Sequence, residues 1–115
     1  MKEYLLIARG NRETWDKASE HDWTQVMDGF EKWVASMKEK NLWIRGDRLT
    51  VKRTDIQKTE KGFQVSDGPF AETKELTGFF LFRAETMTQA TEYAKGCPSL
   101  LHDSLSLHEL EGDRQ

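Results

Sequence analysis

The sequence predicts one α+β domain, an antiparallel sheet with two helices on one face. Three observations carry this. An apolar run of strand length stands at the N-terminus (residues 4–8), two segments place apolar residues at helical spacing (22–40 and 87–95), and short strand-forming runs fill the intervals (42–44, 49–51, 63–65, 78–83 and 104–109). A chain of 115 residues with 37% hydrophobic side chains can build one core and is too short for two ordinary ones, so residues 1–115 read as a single domain.

Taken in order, residues 4–8 are compact and flanked by charge, as in a mostly buried strand. In residues 22–40, Trp23, Val26, Met27, Phe30, Trp33, Val34 and Met37 form one apolar face, opposed by Asp28, Glu31, Lys32, Lys38 and Glu39. Ser19 and Asp22 make a variant capping box, and Asn41 supplies a stop. Lys61-Gly62 is a turn signal, so a long hairpin is expected between Arg48 and Ser66. Asp67-Gly68-Pro69 breaks any strand. Phe79, Phe80, Leu81 and Phe82 then follow in sequence, too dense for a strand with one wet face, and predict cover on both sides. Thr86 and Gln89 form a capping box for the second helix, which Gly96 and Pro98 terminate. Last, Leu105 and Leu107 alternate with Ser106 and His108, as in a half-exposed strand. The order is the split βαβ of the ferredoxin-like type, with a hairpin inserted. One such layer leaves a sheet face bare, and Trp15, Trp23, Trp33 and Trp43 give apolar surface to spare, so pairing of sheets in a homodimer is expected.

The 17 Lys+Arg and 20 Asp+Glu are interleaved and leave a net charge of −3, which argues against an electrostatic grip on nucleic acid or an anionic membrane. The N-terminal apolar run is far short of a secretory core or a membrane span, and the single Cys97 cannot form an internal disulfide. A cytoplasmic, unprocessed chain is the expectation. His21, His102 and His108 show no metal-ligand spacing, so no metal or other cofactor is expected. Cys97 stands at a helix C-terminus, the wrong end to favour a thiolate, and reads as core.

The most distinctive run is Asp67-Gly68-Pro69-Phe70-Ala71-Glu72-Thr73-Lys74-Glu75. Its nine residues resemble, letter for letter, the signature of the DGPF subgroup of the YCII-related family. Residues 1–7, the length of the first helix, Gly78-Phe79-Phe80 and Cys97-Pro98 are similar to that family too, so the resemblance covers nearly the whole chain. It implies a ferredoxin-like fold that dimerises as an α+β barrel. Related proteins include a dehydrochlorinase-like enzyme acting on a chlorinated hydroxyquinol, domains joined to sigma-type transcription factors, and many members without known activity. The wider family often carries a His in the first helix paired with an Asp. Here residues 23–40 contain no His and His21 lies about two turns too early, so that dyad does not transfer.

Within the run, a carboxylate and an ammonium at a cavity mouth can shift each other's pKa, hold a polar substrate and exchange a proton. Asp67 and Lys74 are therefore the candidate acid-base pair, with Phe70, Glu72, Arg45 and Trp33 as candidate ligand contacts. The competing reading makes Asp67 a turn cap, Phe70 a core plug and the remaining charges solvated. With no nucleophile triad, Cys/His pair or phosphate loop in the sequence, a small-molecule-binding dimer ranks first. A cofactor-independent enzyme on a small polar or aromatic compound comes second. A transcription-associated module with a sigma-type partner comes third, acting through protein because no basic or helix-turn-helix element is present.

Overall fold

A central strand, β1 (Lys2–Gly10), is flanked on both sides in the computed structural model, which describes residues 1–68 and 75–112. The short helix α1 (Arg12–Asp16) and the long α2 (Glu20–Glu39) follow it, then β2 (Trp43–Arg48), β3 (Asp55–Thr59), β4 (Gly62–Ser66), β5 (Glu75–Ala84), α3 (Met87–Ala94), a 3-10 turn (Pro98–Leu101) and β6 (Ser104–Glu109). The main sheet is antiparallel in the order β2-β5-β1-β6, and β3 and β4 form a separate two-stranded sheet. An α+β chain with this four-stranded order is compatible with a ferredoxin-like fold. None of the helices among the described residues is long and apolar enough to cross a membrane.

The sheet is amphipathic because side chains alternate along each strand. Tyr4, Leu6 and Ala8 of β1 and Phe80, Phe82 and Ala84 of β5 are buried against Trp33 and Met37 of α2 and Ala90 and Ala94 of α3. Trp33 anchors this core. Its ring meets Trp43, Phe80 and Phe82 edge-on, and its Nε1 donates to the Tyr93 carbonyl at 2.9 Å. The opposite face carries Leu5, Ile7, Phe79 and Leu81, all half-buried. Among the described residues β5 is thus covered on one side only, where the run of aromatics predicts cover on both.

The helix ends follow the sequence signals. Ser19 Oγ accepts from the Asp22 amide and Thr86 Oγ1 from the Gln89 amide, both at 3.1 Å. Asn41 takes φ 60° beyond α2, and the Asn41 and Leu42 amides donate back to the Lys38 and Met37 carbonyls. That is the Schellman closure, with Leu42 buried beside Met37.

Two further expectations need correction. Residues 49–51 are not a strand; only the Leu49 amide reaches the sheet, donating to the Thr77 carbonyl. The first strand of the hairpin is instead Asp55–Thr59, which holds one large apolar residue, Ile56, and so gave no alternation to read. Helix α1 and the 3-10 turn were also unread. The first is held by the Asn11 side chain accepting from the Glu13 amide, and the second starts at Pro98, which suits a first-turn position.

Candidate functional site

The antiparallel order brings one end of every strand in the main sheet to the same place. Gly10 pairs with Glu75, Arg48 with Gly78, and Arg9 with Ser104. The segments leaving those ends carry the polar side chains that the core excludes.

On the helix side of this end, Asp103 is buried at 8% exposure. Its Oδ1 accepts from Trp15 Nε1 at 2.7 Å and its Oδ2 from Thr77 Oγ1 at 2.6 Å. Both carboxylate oxygens thus have a donor, as a buried carboxylate requires. Gly10 makes the space, since a Cβ there would overlap the Asp103 carboxylate. The Trp15 ring meets His102 edge-on at 4.8 Å and Trp23 at 5.2 Å, and the Arg48 guanidinium lies 4.6 Å from the Trp23 ring centre. The cavity between Trp15, Trp23, Phe30, Arg48, Thr77 and Asp103 measures only about 20 Å³, room for a single water. His102 Nε2 is buried without a hydrogen-bond partner among the described residues, 3.9 Å from Asp22 Oδ2.

Beside this cluster a larger cleft of about 770 Å³ opens between α1, the segment after β2 and the start of β5. Arg9, Arg12, Lys52 and Arg53 line it against two carboxylates, Asp55 and Glu75. Arg12 fixes its floor. The Arg12 Nε donates to Glu75 Oε2 at 3.4 Å and its Nη2 to the Leu49 carbonyl at 3.0 Å. Arg53 holds Asp55 at 2.9 Å, which keeps that carboxyl below the usual carboxylate range. Such a cleft has the volume of a small-molecule site, and its cations favour an anion.

The residues singled out from the sequence fall in different places. Asp67 is exposed and accepts from Thr54 Oγ1 at 2.6 Å, tying the two legs of the hairpin together. Phe70, Glu72 and Lys74 lie outside the described residues. Arg45 is exposed on β2, paired with Leu81 on the open sheet face, whereas Trp33 is in the core on the other face. The fold therefore does not bring Arg45, Trp33 and Asp67 together. Among the described residues of the DGPF-like run, Glu75, its last, reaches the cleft. Cys97 is 2% exposed, and burial pushes its thiol up to about 11, which leaves it a packing residue. Among the described residues no group of three His, Cys, Asp or Glu side chains is placed to hold a metal ion.

Sequence reasoning missed Arg9, Arg12, Trp15, Thr77 and Asp103. One signal was available, the polar pair His102-Asp103 inside an otherwise leucine-rich stretch from Leu100 to Leu107. No protein-family model matches the chain, and no curated protein is significantly similar to it.

Proposed function

We propose that this chain is a DGPF-type member of the YCII-related family, a cytoplasmic homodimer that binds a small anionic molecule in the cleft beside the 67–75 run. The observation that carries the reading is the set Arg9, Arg12, Lys52 and Arg53 around about 770 Å³ at the point where that run re-enters the sheet at Glu75. Among the described residues the cleft holds four cations against two carboxylates, and such an excess on a chain of net charge −3 focuses attraction there rather than over the surface. The dimer is supported by the open sheet face, where Leu5, Ile7, Phe79 and Leu81 have no described element packed across them.

Thermal melts with benzoate, malonate and inorganic phosphate test the binding. An anion held at about a hundred times its Kd stabilises by about 2.7 kcal/mol. For a chain this long that raises Tm by about 11 °C. Lys52→Ala and Arg9→Ala, both at exposed positions, should weaken the effect without lowering the ligand-free Tm. Three anions without effect on a folded protein would overturn the reading.

One observation favours the enzymatic alternative. The buried His102 Nε2, without a hydrogen-bond partner among the described residues and 3.9 Å from Asp22, is the kind of imidazole that can take or give a proton once a substrate or a small rotation completes the contact. Chloride release from a chlorinated hydroxyquinol, lost in His102→Gln, would establish it; no release from the wild-type protein would remove it.

A further inference from the structure

The β3–β4 hairpin is an element whose structure the other described residues do not explain. Its register pairs Ile56 with Val65 and Lys58 with Phe63 on one face, and Asp55 with Ser66 and Gln57 with Gln64 on the other. The first face carries three apolar side chains beside Lys58 and is open to solvent, with Ile56 69%, Phe63 73% and Val65 62% exposed. Neither strand packs substantially against another described element. The radius of gyration, 16.4 Å, exceeds the roughly 13 Å of a compact chain of this length, as a projecting arm requires. A lone two-stranded ribbon is marginal in water, and both its edges are unpaired. Such a face calls for a cover from beyond the described residues.

The area of the open sheet face says what. Four strands about 4.8 Å apart, with about six residues each in register, span roughly 19 by 20 Å, or about 400 Å². A stable pair needs about 800 Å² from each partner, so the sheet face alone is too small. The arm's face spans roughly 10 by 17 Å, or about 160 Å². In a closed two-fold pair each protomer contributes its sheet and its own arm, about 560 Å² together, which comes nearer the requirement than the sheet alone. The bare sheet and the bare arm are complementary deficits, and two copies make up both.

We propose that the β3–β4 hairpin is an exchange arm that lays its Ile56, Phe63 and Val65 face on a second copy of this chain. The inference rests on the homodimer proposed above and adds the element that completes it. Full-length protein is compared by sedimentation equilibrium with Ile56→Thr/Phe63→Thr/Val65→Thr, in which Thr keeps the strand propensity while removing apolar area. The amides of residues 55–66 are followed by hydrogen exchange at low and high concentration. Expected are a wild-type dimer, a dimer Kd raised at least about 100-fold in the triple variant, and arm protection that grows with concentration. A wild-type dimer whose Kd the triple variant leaves unchanged overturns the arm and leaves the dimer standing. A wild-type monomer at about 100 μM overturns the dimer reading itself, and the arm with it. Arm protection that is independent of concentration places the hairpin on its own chain and also overturns the inference.

Discussion

Replacing Thr77 by Val removes one hydroxyl from the buried end of the sheet and almost nothing else. The two side chains have the same shape, so β5 keeps its packing and its strand preference. What changes is the 2.6 Å hydrogen bond to Asp103 Oδ2, made where Thr77 is 6% and Asp103 8% exposed. A hydrogen bond to a carboxylate contributes about 1.5–3 kcal/mol, so a buried oxygen left without its donor costs about that much. The variant should therefore lose about 2 kcal/mol. Unfolding entropy near 2.1 cal/mol/K per residue turns that into a fall in Tm of roughly 8 °C, to be read by calorimetry at one fixed protein concentration. Trp15→Phe takes the other donor from the same carboxylate. Because both act on one acceptor, the double variant should depart from additivity by at least about 0.5 kcal/mol. A Thr77→Val protein within about 0.5 kcal/mol of wild type would show that the pair does not hold the strand end, and the account of this cluster would be wrong.

Cys97 and Gly46 give two more tests. A thiol raised from 9.0 to about 11 binds its proton more tightly in the folded state, so stability is fully present below the unfolded pKa and falls as pH rises from about 9 toward 11. Urea titrations across that range should show the loss, and Cys97→Ala should reduce it, leaving the share of Tyr4, whose phenol burial also pushes up; a midpoint indifferent to pH there refutes the burial argument. In Gly46→Ala, the new methyl would stand 2.6 Å from Phe80 Cδ1 and 2.8 Å from Trp43 Cη2. Overpacking two rings of the core should cost about 1–3 kcal/mol in a urea melt, whereas a neutral variant would mean that β2 moves freely.

The part of the fold that could be read from the sequence is the part whose residues answer to one core. Trp33 and Met37 repeat at helical spacing because α2 has one buried face, and Leu105 and Leu107 alternate because β6 has one. β3 escaped because it packs on no core: Asp55–Thr59 shows solvent on every side, and nothing in its pattern separates it from a loop. The doubly apolar β5 reads as covered twice, and the described residues supply one layer. The site was less legible for a geometric reason. Arg12, Arg48, Thr77 and Asp103 lie on four segments that meet only after the strands pair, and each alone is an ordinary surface or capping residue. The 67–75 run marked the right end of the sheet through Glu75 without marking these partners.

The buried cluster and the cationic cleft are not independent, and Gly10 joins them. On one side it leaves room for the Asp103 carboxylate, and on the other it pairs with Glu75, to which Arg12 reaches two residues later. The Trp15 and Thr77 bonds to Asp103 clamp the ends of α1 and β5 to the start of β6, and that clamp sets where Arg12, Leu49 and Glu75 stand as the floor of the cleft. Two kinds of variant should then weaken an anion differently. Lys52→Ala removes a charge from the cleft wall, so affinity falls while Tm holds. Thr77→Val touches no part of the wall, so any loss of affinity must come with the loss of stability and should disappear when the strand end is restored. Affinity unchanged in Thr77→Val, with Tm lowered as expected, would mean that the cleft keeps its shape without the clamp, and that Arg12 alone positions it.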